Sequence, residues 1–357
     1  MKVYIKFITK IFLKSFIYVT LILLCLILIL NILSEIEFFT NISVASYFPI
    51  YLAFLNSPSL VFEMFPFIFL LTTQVFFIYL FTNNEIQIFK YSGLKNSQIL
   101  KIIAYLTFLF SIFIIILFYN LSSSLKSYYL ELKTKHTLDG KYLAVITNNG
   151  LWIRDVINGQ INIINASKID KNFLIDAIIS EFDEDFNSIR NIRSPKINIE
   201  KQEWIIHDAR IFDNKNSYKS EMLKLYSNFD YQKIQNLFSN LSSLSLIELY
   251  KLRENYKTLN YSTIETDIQI HKIISYPVYL TLMTILAAVI MFNTKHFKNT
   301  TIKLAIGLFL SVIIYYINNF FYVMGNTEKI SLIISVWFPL FFLSFVNIII
   351  IKKINEK

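Results

Sequence analysis

The side chains best suited to chemistry in this chain are four histidines, one cysteine and a scatter of carboxylates, and their spacing assembles no familiar reaction centre. His136, His207, His271 and His296 are widely separated. No H-E-x-x-H or C-x-x-C occurs, and no G-x-x-x-x-G-K-[ST] loop is present to cradle a nucleotide phosphate. The chain therefore predicts no catalytic residue, no metal site and no cofactor. EFDEDF, residues 181–186, lacks the ligand alternation and the glycine of a calcium loop and predicts a solvated turn between strands. Cys25 stands alone in an apolar run, so no disulfide is expected. Glu63, His271 and Lys272 fall at the ends of apolar runs, where a long side chain can reach the headgroup layer. With no paired acid and base inside those runs, an intramembrane enzyme is the weakest of the readings.

The sharpest local signal is NNEIQIFKYSGLKNSQ, residues 83–98. Glu85, Ile86, Ile88, Phe89 and Lys90 predict a short amphipathic helix over about 84–93, which Gly93 stops, with Ser97 available to cap the helix that follows. Two spans could be joined with fewer residues, so an apolar edge here predicts docking into a groove on another subunit.

The elements that position this segment are membrane spans. Hydrophobic residues make up 55% of 357, with only six Gly and six Pro, a composition beyond that of ordinary soluble domains. Apolar runs at about 11–33, 60–81, 99–121, 273–292, 304–322 and 330–351 each approach the roughly 20 residues that cross a bilayer as a helix. The first run is too long for a signal sequence and has no cleavage site, so it is expected to be retained. The stretch 44–55, interrupted by Pro49 and Pro58, predicts a separate interfacial or re-entrant helix.

The net charge of +9 belongs to topology and not to a nucleic-acid partner. Residues 124–271 hold 19 Lys+Arg and 19 Asp+Glu, so the basic excess lies outside them. Lys2, Lys6, Lys10 and Lys14 precede the first run; Lys90, Lys95 and Lys101 separate the second from the third. Lys295, Lys298 and Lys303 separate the fourth from the fifth, and Lys352, Lys353 and Lys357 close the chain. The 34–58 connection has Glu35 and Glu37 and no Lys or Arg. The positive-inside rule then puts both termini in the cytoplasm and the 124–267 insert outside.

Inside the insert the period changes. KYLAVIT, GLWIRDVI, GQINIINASKI, NFLIDAIISEF and PKINIEKQEWIIHDARIF alternate or carry β-branched runs, and Asn149-Gly150 and Asn158-Gly159 suit tight hairpin turns. The pattern predicts a β sandwich or jelly roll. Helical spacing returns in SLSLIELYKLRENYKTL, with Ser245 as N-cap and Leu246, Leu249, Tyr250 and Arg253 on one face. The expected fold class is a polytopic α-helical membrane protein, six transmembrane helices (3+3) with an inserted periplasmic β jelly-roll domain, divided at about 1–123, 124–267 and 268–357.

In this organisation the chain resembles the lipopolysaccharide-export permeases LptF and LptG of the Gram-negative inner membrane. The resemblance rests on NEIQIFKYSGLK, GLWIRD, HKIISYPVYLTLMTILAAVIM and GLFLSVIIYYINNFFYVMG followed by ISVWFP, in that order. LSLIELYKLRENY and SVWFP look more like LptG. The resemblance implies half of an ABC transporter membrane unit. Its partners would be an LptF-like permease in a heterodimer, an LptB-like ATPase dimer, and LptC-like and LptA-like jelly-roll proteins toward the outer membrane. Lipopolysaccharide would enter laterally from the bilayer, with membrane lipids around it.

The resemblance also assigns residues. Glu85, Lys90 and Gly93 match the coupling-helix pattern, with Ile86 and Phe89 filling the ATPase groove. The family's gate and cavity elements correspond to Leu30 and Leu33 in the first span, Phe67 and Leu71 in the second, and Phe309, Ile313, Tyr316 and Phe320 in the fifth. An apolar slot for acyl chains would include Leu143, Val145, Trp152 and Ile163. One departure stands out: LptG relatives carry a basic residue near the outer end of the first span, and this chain has Asn31 through Glu37, with two carboxylates that would repel a phosphate. A different class of reading is a membrane-anchored periplasmic binding or scaffold protein, in which the short helix has no energetic role.

Overall fold

The computed structural model describes residues 3–355 apart from 41, 43, 135, 137–150, 158–159, 171, 214–216, 232–233, 235–239, 259–261 and 295–298. Leu143, Val145 and both Asn-Gly pairs lie outside the described residues. The described chain forms two compact units, 1–126 with 264–357, and 127–263. It is a helical membrane protein with an inserted sheet domain.

Six helices of the first unit are long and apolar enough to cross a membrane. The first span is Val3–Phe38 and the second is Phe48–Thr82. A short helix, Glu85–Tyr91, follows. The third span is built of Asn96–Phe113, a π-helical turn at Ile114–Tyr119, and Asn120–Thr134. The fourth, fifth and sixth are Ile264–Asn293, Thr300–Asn326 and Leu332–Asn355.

The second span differs from expectation. The stretch 48–59 is its first part and not a separate interfacial helix. Pro49 sits in the first turn, where its missing N–H removes no helical bond. Pro58 lies inside, and Ser57 Oγ beside it donates 2.6 Å to the Ala53 carbonyl, which also accepts 2.8 Å from Asn31 Nδ2 of the first span. The carbonyl that Pro58 leaves without a donor is that of Phe54, four residues back; the Ser57 and Asn31 bonds fall on the adjacent Ala53 carbonyl and tie this part of the helix to the first span. The third span likewise runs on past residue 123.

Two apolar clusters hold this unit together. Phe12, Phe16, Phe65, Phe69, Phe76, Phe77 and Ile103 join the first four spans, with ring pairs such as Phe16–Phe110 at 5.0 Å and edge-to-face geometry. Leu70, Met283, Leu286, Ala287, Leu340 and Leu343 join the second, fourth and sixth.

The second unit contains one seven-stranded antiparallel sheet in the order β1 (Leu151–Ile157), β2 (Gln160–Ala166), β4 (Phe173–Phe182), β5 (Ser188–Asn198), β6 (Glu203–Asp213) and β7 (Ser217–Tyr226), with β3 (Lys168–Asp170) also on β4. The inward set includes Leu151, Ile153, Ile164, Ile179, Ile192, Ile197, Ile206 and Trp204, covered by Phe229, Ile234 and Leu252. Trp204 Nε1 donates 2.8 Å to the Phe229 carbonyl, satisfying its one polar atom. The sheet curls far enough that the chain leaving β7 reaches β1. Buried Asp155 of β1 accepts from Ser227 Oγ at 2.7 Å, Asn228 N at 3.1 Å and Asn228 Nδ2 at 2.8 Å, immediately after β7.

One row breaks the ladder. Pro195, which has no N–H to donate, sits within β5; Asp176 and Asp208 beside it in β4 and β6 take left-handed φ of 49° and 50°. Pairing resumes on both sides without a change of register, at Ile175↔Lys196 and Ala177↔Ser194, and at His207↔Met222 and Ala209↔Ser220. Ser194 Oγ replaces part of the lost ladder, accepting from Lys196 N at 3.1 Å.

Of EFDEDF, Glu181 and Phe182 are the end of β4, with Glu181 buried, and the turn begins at Asp183, whose Oδ1 accepts 2.7 Å from Asn187 N and Oδ2 3.0 Å from Asn187 Nδ2. Those bonds hold its carboxyl below its ordinary pKa. The return helix is Leu246–Thr258, and Ser245 caps it reciprocally with Glu248. Its buried face carries Leu249 and Leu252, whereas Tyr250 is exposed.

Candidate functional site: the short helix and the exposed spans

The short helix is bracketed by two residues in the left-handed region, Asn84 at φ 56° and Gly93 at φ 78°. Its end follows from the sequence S-G-L: Leu94 N donates 2.9 Å to the Phe89 carbonyl and Gly93 N donates 3.0 Å to that of Lys90, the pattern that glycine permits one residue past a helix end. Leu94 then packs against the same cluster as Phe89. The third span starts at Asn96, where Gln98 Oε1 accepts 3.1 Å from Lys95 N, so Gln98 and not Ser97 closes this end.

Which face points where is the main correction to the sequence reading. Ile86 and Phe89 are buried in the chain's own membrane core, with the Phe89 ring 6.0 Å from Phe7 of the first span. They anchor the helix and cannot fill a partner's groove. The free face carries Ile88, 53% exposed, and Tyr91, 89% exposed, with Gln87 and Lys90 beside them and Glu85 half-buried. Ile86/Phe89 and Ile88/Tyr91 are both three apart, so spacing alone could not choose between the two faces. The signal present was Leu94, whose seat one turn past Phe89 places that side inward.

Burial divides the spans sharply. The most apolar windows of the second and fourth are 61% and 72% buried, against 22% for the first and 17% for the fifth. Leu30 and Leu33 in the first span, and Phe309, Ile313, Tyr316 and Phe320 in the fifth, are exposed apolar side chains. Phe67 and Leu71 are half-buried on the second; the Phe67 ring lies 5.9 Å from Tyr315, and Leu71 packs into the core. The fifth span is held by a polar tie: buried Gln74 Nε2 donates 2.8 Å to the Lys303 carbonyl, over Gly307, where an added Cβ would meet that nitrogen at 2.1 Å. Any other residue there would have to push the Gln74 amide off the Lys303 carbonyl.

The outer end of the first span also reads differently in three dimensions. Asn31 is buried and bonded to the second span, and Glu35 is turned inward and buried, leaving Glu37 as the exposed carboxylate. Glu35 therefore presents no charge to a lipid at that surface. In the sheet domain, Trp152 is 55% exposed and Ile163 half-buried, on the face opposite Leu151 and Ile153. These two do not line the interior of the curled sheet; the interior residues are their neighbours in alternation.

Residues 6–353 match the sequence model of the family described as the lipopolysaccharide export system permease LptF/LptG. The chain belongs to this family. The description covers LptF and LptG together and does not separate them. No curated protein matches the chain. The match runs through both membrane halves and the inserted sheet of this permease, so the six spans and the domain between the third and fourth are the family's own architecture.

Proposed function

We propose that this permease is one membrane subunit of an ABC transporter that extracts lipopolysaccharide from the inner membrane of a Gram-negative bacterium, driven by a separate ATPase. Its termini and short helix face the cytoplasm and the sheet domain faces the periplasm. A second LptF- or LptG-type permease completes the membrane unit, an LptB-like ATPase dimer docks beneath, and LptC-like and LptA-like proteins receive the lipid.

One observation carries the reading: the short helix is locked to the membrane core through Ile86 and Phe89 while Ile88 and Tyr91 are bare. A helix fixed on one side and apolar on the other is built to transmit displacement, because motion of whatever grips the bare side is passed to the second and third spans that flank it. Lys90 on the exposed side offers a charge at the rim of that contact. The uncovered faces of the first and fifth spans suit acyl chains and the second permease.

The test is the double substitution Ile88→Asp, Tyr91→Ala. Both side chains are exposed, so the chain should fold, and the purified complex should lose its ATPase subunit or hydrolyse ATP without stimulation by lipopolysaccharide. Normal export with a normally coupled ATPase would sink the proposal and favour a passive anchoring role.

A further inference from the structure

The outward face of the inserted sheet carries three cations in line. Arg193 of β5 lies directly opposite Arg210 of β6, and Arg210 directly opposite Lys219 of β7. All three are exposed, and among the described residues none makes an ion pair. Arg190, three positions earlier on β5 and so on the other side of the strand, shows the alternative: it grips Glu181 with two bonds of 2.6 and 3.0 Å. Like charges directly opposite one another weaken a sheet, and no carboxylate among the described residues comes within ion-pair distance of these three to offset that. Arg193 is steadied by the Phe212 ring, 5.7 Å from its guanidinium carbon.

The row borders an open hollow of about 880 Å³. Its other side is acidic, with Asp176, Asp208 and Glu221 among the lining residues. The break at Pro195 creates this arrangement. Leu174 and Ile206, two residues before Asp176 and Asp208, are buried, and so are Ala177 and Ala209 one residue after, so each strand shifts its alternation by one at this row and sets exposed carboxylates beside the cations on the same face. The charged groups thus divide, with the cationic donors Arg193, Arg210 and Lys219 along one side and the carboxylate acceptors along the other. A bare inorganic anion, or an acidic peptide, would use the first wall and be repelled by the second. A sugar with an anionic substituent uses both: the phosphate or carboxylate takes the N–H groups of the arginines, and ring hydroxyls donate to the aspartates.

We infer that this hollow binds an anionic saccharide, a phosphate- or carboxylate-substituted sugar, on the outside of the sheet. The export reading enters only as the source of that sugar, which would be the head group of the carried lipid riding outside while its chains lie elsewhere. The site itself is tested without transport. The full-length chain in detergent, at low ionic strength, is titrated calorimetrically with glucose 6-phosphate, inorganic phosphate and glucose.

Saturable binding of glucose 6-phosphate is expected, at least fivefold tighter than inorganic phosphate, with none for glucose. Arg210→Gln and Lys219→Gln should each weaken glucose 6-phosphate at least tenfold, and Asp208→Asn should bring it toward the value for inorganic phosphate. Unchanged circular dichroism would show the variants folded; the exposed Lys219 substitution serves if Arg210→Gln does not fold. Absence of saturable binding, indifference to both cation substitutions, or glucose or inorganic phosphate binding as tightly as the sugar phosphate would overturn the inference. If the Ile88/Tyr91 double variant exports normally while these titrations behave as expected, the coupling reading fails and the saccharide site stands.

Discussion

The second and fourth spans and the first and fifth are made of much the same residues, yet they do opposite things. The central pair buries most of its apolar surface against its neighbours, whereas the outer pair leaves most of its own bare. In a bilayer, apolarity says only that a helix can reside there; packing decides association. The central pair accordingly carries the small and polar contacts, including the Thr107–Thr284 bond at 3.3 Å between the third and fourth spans. The outer pair carries long apolar side chains with nothing yet against them. The central helices are a frame, and the outer ones are surfaces awaiting lipid or a second subunit.

The comparison can be broken at several points. The largest effect is expected from Phe76→Ala in the second span, fully buried against Phe12 and Phe77: about 3–5 kcal/mol of stability lost, read from thermal unfolding in detergent. Gly307→Leu should follow, at roughly 1–3 kcal/mol, by driving a side chain into Gln74 and loosening the fifth span, visible as new protease sensitivity around it. Gln74→Leu removes the side-chain bond to the Lys303 carbonyl and should cost about 0.6 kcal/mol, within the range of membrane hydrogen bonds. Phe309→Ala with Phe320→Ala should leave the unfolding temperature essentially unmoved while abolishing stimulation of the complex by lipopolysaccharide. A large loss of stability from that last pair would mean that the fifth span belongs to the frame, and the contrast would collapse.

Much of this was readable in the chain because two signals are strong. About twenty predominantly apolar residues leave a backbone little choice but a spanning helix, so all six were legible, and alternation around Trp204 and Ile206 marked strands. The rest hid for specific reasons. β5 begins at Ser188 and not near Pro195, because Ser188 to Ser194 is too polar to look half-buried and a proline inside a strand reads as a boundary. β7, Ser217–Tyr226, carries Lys, Ser and Glu on a face open to water. The joining of 48–59 to the second span was masked by Pro58, which reads as a helix boundary although the helix runs through it, tied to the first span one turn back by Asn31 at the Ala53 carbonyl. The facing of the short helix was undecidable from two equal apolar pairs, and the inward turn of Glu35 depends on its azimuth on a helix whose other residues mostly face lipid.

The six-residue wide turn at Ile114–Tyr119 has its own consequence. An α-helix advances each residue by about 100°, and a π turn takes in one residue more, so the stripe before it and the stripe after it do not line up. Before the turn, the buried positions are Ile99, Ile103, Thr107 and Ser111, and Thr107 meets Thr284 of the fourth span. After it they become Tyr119, Ser122 and Ser123; Tyr119 lies 5.0 Å from Phe62 of the second span, and Lys126 comes to 3.9 Å from Glu63. A single rod is thereby given two azimuths and serves two different neighbours along its length, something no uniform helix of the same sequence composition could do.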